Sequence, residues 1–439
     1  MPLFNFSAEL AAAEAQAILR TADCFADIDR LTEHNQRRVL AAFIENRVET
    51  RHFAETTGYG YGDAGRETLD RLCAQIFGAQ DALIRHSFAC GTATISAGLF
   101  GVLRPGYTML SVSGQPYDTL LPVLGLRRQN DNSDNAPHVD NTHKEPDTGS
   151  LRDFGVQYAQ VDLLPNGGFD YPAIAAALEE YRPKMVYVQR SRGYTLRRAI
   201  STAEIGALAK FVHANSGAIV FVDNCYGEFV ETEEPCSAGA DLIAGSLIKN
   251  AGGGIARCGG YLAGRRDLIE RCAARMNCPG LGREVGASLG NNRELFMGLF
   301  HAPHVTGEAL KAAVFAAALF EELGYEVSPA SKESRSDIVQ CLKLGTPEKL
   351  IAFCRAIQSA SPVDAHLSPE PWDMPGYDCK VIMAAGTFTG GSSIELSADA
   401  PLREPFAVWL QGGLNFHSAK AAILTAAAQL IINRQNTGG

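Results

Sequence analysis

The sequence predicts an α/β fold whose main unit is a parallel sheet covered on both faces, and three observations carry that reading. Between about residue 80 and residue 265, short apolar segments alternate with helical ones. One helical segment, STAEIGALAKFVHANSG (201–217), lies between two apolar segments, which is the strand–helix–strand unit that parallel pairing requires. The 439 residues also exceed one usual core, so a second, smaller unit is expected beside the first.

Taken in order, residues 1–50 read as helical, because LTEHNQRRVLAAFIENRV spaces its apolar residues at helical intervals; an N-terminal arm is expected. The clearest strands are YTMLSV (107–112), KMVYVQ (184–189), AIVFVD (218–223) and DLIAGS (241–246). The helix between the second and third opens with a capping box, Ser201 and Glu204, and ends at Gly217, where a left-handed glycine is expected. Residues 128–150, RQNDNSDNAPHVDNTHKEPDTGS, have little to bury and predict a mobile loop. GEALKAAVFAAALFEELG (307–324) predicts a long helix leading into a smaller C-terminal α/β portion. The divisions drawn are 1–57 for the helical arm, 58–305 for the large domain and 306–439 for the small one.

Composition excludes several function classes. The chain is 46% hydrophobic and 20% charged with a formal net charge of -10, and no basic block offers itself to nucleic acid. The start, MPLFNFSAELAAAEAQAILR, has no charged region followed by an apolar one, so no signal peptide is read, and no run approaches the ~18 apolar residues of a membrane span. The 11 cysteines contain no C-x-x-C pair, which argues against structural zinc or a disulfide framework and for reduced thiols in a cytoplasm.

Chemistry gathers at the predicted strand ends, where ligands of parallel sheets bind. Asp223 ends the third strand, and Lys249 follows the fourth. A solvated surface pair is the plainer reading, but surface charges rarely terminate apolar runs in this way. A lysine among buried strand ends is partly desolvated, which lowers its pKa and lets the neutral amine form a Schiff base. Pyridoxal phosphate needs such a lysine, a carboxylate for its ring nitrogen and an anion site. The anion site is expected at HSFACGTATISAGLFGVL (86–103), where Gly91 and Thr92 open an apolar helix with no acid in its first turns. A merely capped core helix is the alternative there. Ser246, three residues before the lysine, adds a hydroxyl, and Tyr117 in SGQPYDT follows a strand at the edge where a ring could stack. The glycines of GSLIKNAGGGIA are expected to leave room for a flat cofactor and to let the chain turn back as the next strand.

The stretches YGYGDAGRETLDRL, VQRSRGY, VDNCYGEFVE, GSLIKNAGGGIA and GSSIELSADAPLREP span about 58 to 417. Together they resemble fold type I pyridoxal-phosphate enzymes. Within these, the chain resembles the methionine gamma-lyase-related group, also known as cystathionine beta-lyase-like or aluminium resistance proteins. The resemblance implies an aspartate-aminotransferase-like large domain with a mostly parallel seven-stranded sheet, plus a smaller C-terminal α/β domain. It implies Lys249 as the Schiff-base lysine, Asp223 as the pyridinium partner, Tyr117 on the ring, and Gly91, Thr92 and Ser246 on the phosphate. It implies a homodimer or homotetramer with shared sites, to which Tyr59 and Tyr61 would be donated by a neighbouring subunit, although the arginine of the family's Tyr-x-Arg motif is absent. The family's carboxylate-binding R-x-S is replaced by Glu395-Leu396-Ser397, leaving Arg403 or Arg192 to hold the substrate carboxylate. The implied activity is a carbon–sulfur lyase acting on a sulfur-containing amino acid, of the cystathionine beta-lyase or methionine gamma-lyase type. An aldolase, racemase or aminotransferase on the same scaffold, and a non-catalytic cofactor-binding protein with a stress or regulatory role, remain alternatives.

Other patterns carry less. Gly60 to Gly65 satisfies G-x-G-x-x-G, but RHFAETT before it is no apolar strand, so a dinucleotide fingerprint is not read. Ser246-Leu247-Ile248-Lys249 with Ser133-Asp134-Asn135 mimics a penicillin-recognising pattern, yet no K-T-G exists and the order is wrong. His301 and His304 lack further ligands, Pro303 disturbs their spacing, and a loop or core role is expected; no metal site is assigned. Cys225 beside Asp223 is read as a packing residue.

Overall fold

A computed structural model describes residues 4–126, 148–374, 377 and 379–437, so the loop expected at 128–150, with its Ser133-Asp134-Asn135, lies outside the described residues except for its last three positions. Ser7 opens α1 (Ala8–Glu45) by accepting the Leu10 N–H. This helix is no free arm. Leu10 and Ala17 are buried in the core of the C-terminal sheet, whereas Val39 and Ala42 are buried in the core of the larger one.

The elements α2 (Ala64–Ile76), β1 (Asp81–Arg85), α3 (Gly91–Val102), β2 (Thr108–Ser111), a single turn α4 (Leu121–Leu124), β3 (Gln157–Gln160), α5 (Tyr171–Tyr181), β4 (Met185–Gln189), α6 (Thr202–Asn215), β5 (Ile219–Asp223), β6 (Leu242–Ser246), β7 (Gly260–Gly264) and α7 (Arg266–Met276) follow in order. Their strands form one seven-stranded sheet in the order β1-β7-β6-β5-β4-β2-β3. The pairs from β3 through β6 are parallel, and β7 runs antiparallel to both its neighbours. Helices cover both faces, so β4, β5 and β6 are buried at every position, and this is why they read as unbroken apolar runs. The capping box of α6 is present, with Ser201 and Glu204 exchanging their bonds. Its end differs from expectation: Gly217 is not left-handed, because Ser216 leaves the helix already extended (φ -158°) and the chain passes straight into β5.

The helix expected at 307–324 begins earlier, as α8 (Asn292–Glu322), and continues through Pro303; the 305/306 division therefore falls inside it. Gly307 lets α1 cross close by, since a Cβ there would collide with Thr32. After α8 come β8 (Glu326–Ser328), β9 (Gln340–Lys343), α9 (Pro347–Ser359), β10 (Val381–Ala384), β11 (Ser397–Pro401), β12 (Ala407–Gln411) and α10 (Phe416–Thr437). The strands form an antiparallel sheet in the order β10-β11-β12-β9-β8. Leu342, Ala398, Ala400, Val408 and Leu410 pack against the helices on one face. Period-two alternation turns Cys341, Asp399 and Trp409 the other way, toward Tyr194 and Tyr226 of the large domain.

Candidate active site

Strand register brings the site together. Gln189 at the end of β4 pairs with Asp223 at the end of β5, and Asp223 pairs with Ala244 of β6. Lys249 follows three residues after the last position of β6, at the entrance to a tight turn over Asn250–Gly252. Its Nζ donates to the Ser392 carbonyl at 2.7 Å and lies 4.6 Å from the centre of the Tyr226 ring. Burial lowers its pKa to about 8, and the strongest of the charges resisting this is Asp399. A neutral amine is therefore within reach at physiological pH. Tyr226 holds a left-handed backbone (φ 68°), a strained state for a bulky residue that brings its ring against the lysine.

The glycines after Lys249 serve packing. A Cβ on Gly252 would strike the Leu247 carbonyl, one on Gly253 would strike Gly298 of α8, and one on Gly254 would strike Leu414. The glycine run lets the turn lie directly on α8 and the small domain, so the room expected there for a flat cofactor is filled by backbone at Gly252 and Gly253 and by the Leu414 side chain at Gly254.

An anion cradle faces the lysine turn. Gly91 opens α3, whose first turn carries no acid. A Cβ on Gly91 would come within 3.3 Å of the Ser246 Cβ and 3.5 Å of the Cys225 Sγ, so the missing side chain leaves a space between these groups. The Ser246 hydroxyl is buried with no hydrogen-bond partner among the described residues. The Cys90 thiol caps only the Ala93 N–H of α3 at 3.4 Å, and an orphaned hydroxyl beside that helix N-terminus suits a phosphate. Thr92 hydrogen-bonds Thr119 through their hydroxyls at 2.7 Å. Asp223 accepts the Cys225 N–H at 3.1 Å; burial pushes its carboxyl up to about 6, while the bonds from Cys225 and the Arg197 charge hold it down. The Cys225 thiol is itself pushed well up by burial, which makes it a poor nucleophile. These groups fit pyridoxal phosphate: Lys249 for covalent attachment, Asp223 for the pyridine end, and Gly91, Thr92 and Ser246 for the phosphate.

The remaining predicted residues are distributed differently. Tyr117 packs on Gly193, and its hydroxyl meets that of Tyr377 at 2.6 Å. Tyr59 and Tyr61 stack on each other at 5.6 Å and are 72% and 60% exposed. Their segment is pinned by Arg66, which donates to the carbonyls of Gly60 and Gly286. Arg192 is buried and turned into the wall between the two sheets, donating to the Ser328 carbonyl at 2.7 Å with Asp337 at 3.8 Å. Arg403 lies past the end of β11, in a turn where its carbonyl accepts the Phe406 N–H. The loop or core position expected for His301 and His304 is replaced by an α8 position, with His304 exposed.

Several site residues escaped the sequence reading. Asp399 faces Lys249 from β11; burial raises its carboxyl and the Lys249 charge opposes this. Glu228 is buried with its Oε1 accepting the Tyr261 hydroxyl at 2.9 Å, and burial, with the charge of Glu234, pushes it up to about 8. Arg197 donates to the carbonyls of Gln189 and Ser191 and faces Asp223. The signal for Asp399 was present in the alternation Ser397-Ala398-Asp399-Ala400, and Glu228 closes the VDNCYGE stretch that already held Asp223.

Comparison with known proteins bears on the family and the fold. A family model described as methionine gamma-lyase matches residues 10–431. The Bacillus subtilis protein YnbB, itself uncharacterized, is 48% identical over 405 residues, covering 92% of either chain. A solved structure described as a carbon-sulfur lyase involved in aluminum resistance from Clostridium novyi is 45% identical, covers 97% of each chain and superposes with a TM-score of 0.90. The pyridoxal-5'-phosphate dependent protein YhfS of Escherichia coli shares the fold at 18% identity, with coverage of 91% of this chain and 97% of that one and a TM-score of 0.56. The architecture is that of fold type I pyridoxal-phosphate enzymes, a large mostly parallel sheet with a smaller C-terminal α/β domain.

Proposed function

The chain belongs to the methionine gamma-lyase family, and from that premise we propose that it is a pyridoxal-phosphate-dependent carbon–sulfur lyase acting on a sulfur-containing amino acid. The observation that carries this is the half-buried Lys249, its pKa lowered to about 8, just after the strand that pairs with Asp223, together with a Ser246 hydroxyl that has no partner among the described residues. Pyridoxal phosphate, when bound, supplies an electron sink for carbanion chemistry at the substrate α-carbon. Lys249 holds it covalently and, once released, serves as the base that takes the α-proton. Asp223 offers its carboxylate to the pyridine end, Gly91, Thr92 and Ser246 bind the phosphate, and Tyr117 stacks on the ring. Tyr59 and Tyr61, exposed on a segment that Arg66 holds rigid, complete the site of a second copy in a homodimer or homotetramer. Elimination yields a thiol and, after hydrolysis, a 2-oxo acid and ammonia.

Cystathionine, methionine, cysteine and homocysteine, scored for free thiol and for pyruvate or 2-oxobutyrate, test the activity; a new amino acid in place of a thiol would overturn it. Borohydride treatment should fix the cofactor onto the wild-type chain and not onto Lys249→Ala, and an undiminished adduct on the variant would remove Lys249 from its role.

A further inference from the structure

Lys249 is itself an alkylammonium, and the way it is seated shows what this side of the cleft can hold. Its Nζ donates to the Ser392 carbonyl at 2.7 Å and lies 4.6 Å from the centre of the Tyr226 ring. The same Ser392 leads on to Asp399 of β11, since its hydroxyl donates to Asp399 Oδ2 at 3.3 Å. That oxygen also accepts the Tyr194 hydroxyl at 3.0 Å and the Gln411 amide at 3.4 Å, so its donors are all neutral. Oδ1 has no partner among the described residues. Asp399 is thus a carboxylate oriented by hydrogen bonds and, among the described residues, held by no ion pair.

Aromatic rings stand in front of this carboxylate. The Tyr194 ring is 5.3 Å from that of Trp409, 5.7 Å from that of Tyr377 and 5.7 Å from that of Tyr117. Tyr117, Tyr194, Tyr226 and Tyr377 are partly exposed, whereas Asp399 is only 5% exposed. An incoming group therefore meets ring faces first, with the acid behind them. Ring faces attract cations, and a phenol that donates its hydroxyl to a carboxylate is polarised toward a more electron-rich ring.

We propose that Tyr226, Ser392, Tyr194 and Asp399 form a subsite for an alkylammonium group that the substrate carries beyond its sulfur; the inference rests on the carbon–sulfur lyase reading. Lys249 shows the seat by occupying it. Joining pyridoxal phosphate replaces the N–H groups that the Ser392 carbonyl and the Tyr226 face hold, and both are then open to a second ammonium. An anionic chain beyond the sulfur would be repelled by Asp399, and an uncharged one would gain nothing from it. Asp399 also acts on the charge of Lys249. That influence is common to every substrate, whereas an effect of the subsite follows the charge of the group beyond sulfur.

Two substrates separate these effects in the holoenzyme. S-(2-aminoethyl)-L-cysteine and S-propyl-L-cysteine have side chains of equal length and the same α-amino group, and only the first bears a second ammonium. Scored by pyruvate, wild type should favour the aminoethyl substrate in kcat/KM on the order of tenfold. Asp399→Asn should abolish that preference while still opening S-propyl-L-cysteine. Equal turnover of the two by wild type, or a variant that slows both in the same proportion, would overturn the subsite and leave the lyase reading standing. A wild-type enzyme that opens neither would overturn the lyase reading and the substrate assignment with it. The seat is also read without turnover, in protein prepared free of cofactor. There n-propylammonium, followed by saturation-transfer NMR, should bind Lys249→Ala on the order of tenfold more tightly than wild type, in which Lys249 competes for the seat. Adding Asp399→Asn to that variant should weaken the binding again. Equal binding to all three proteins would show that the seat does not exist.

Discussion

Replacing Glu228 by glutamine tests how far the site depends on acids held out of water. Glu228 is fully buried, its Oε1 accepts the Tyr261 hydroxyl, its Oε2 has no partner among the described residues, and its carboxyl is pushed from 4.5 up to about 8. Because the folded pKa lies above the unfolded one, the folded chain binds more protons between those two values, and the stability this group contributes is lost as pH rises through that window. At about 1.4 kcal/mol per pKa unit, the loss between pH 5 and pH 8 is about 3 kcal/mol. Glutamine keeps the shape and the acceptor for Tyr261 but exchanges no proton. The stability of Glu228→Gln relative to wild type should therefore rise by about 3 kcal/mol across that range. With an unfolding entropy of about 2 cal/mol/K per residue over 439 residues, this is about 3 °C in Tm. Calorimetry of cofactor-free protein at pH 5, 6, 7 and 8 reads the effect. A difference between variant and wild type that is the same at every pH would refute the reasoning, since an offset in packing carries no pH dependence.

Two further outcomes follow from buried partners. Ser246→Ala removes a hydroxyl with no hydrogen-bond partner among the described residues, so the Tm of the cofactor-free chain should hold while pyridoxal phosphate binds about 10- to 100-fold more weakly, as for a lost hydrogen bond to a charged group; undiminished affinity by equilibrium titration would remove Ser246 from the cradle. Asp70→Asn leaves the buried Arg85 guanidinium, now held at 2.8 Å by Asp70 Oδ2, without its counter-charge. A loss of about 3–5 kcal/mol in denaturant unfolding is expected, and a loss under about 1 kcal/mol would mean that the pair is solvated.

The sequence made the large sheet readable because its strands are buried on both faces and its connecting helix is capped by its own residues, Ser201 and Glu204. Asp223, Ser246 and Lys249 were readable for the same reason: each stands where an apolar run ends. What escaped depended on distant parts of the chain. The alternation of Ser397 to Ala400 marks the face that Asp399 shares, but that this face of the small sheet meets the large domain is a fact of docking that no local pattern encodes. The role of Arg192 was hidden likewise, since its partners Ser328 and Asp337 lie more than a hundred residues on. The glycines after Lys249 were read as room for a flat cofactor, and only the positions of α8 and Leu414 reveal that protein fills the space beside them.

One physical cause links these charges. Dehydration lowers Lys249 and raises Asp223, Glu228 and Asp399, so each group is drawn toward its neutral form by the burial that makes the lysine a usable base. The same dryness would penalise any thiolate released among them, whatever substrate it came from. A site that gains its base through desolvation therefore disfavours every charge formed within it, including one on a leaving sulfur. The charge that acts most strongly on Lys249, Asp399, comes from β11 of the small sheet, so the docking of the two sheets sets the protonation of the lysine as much as the strand that presents it.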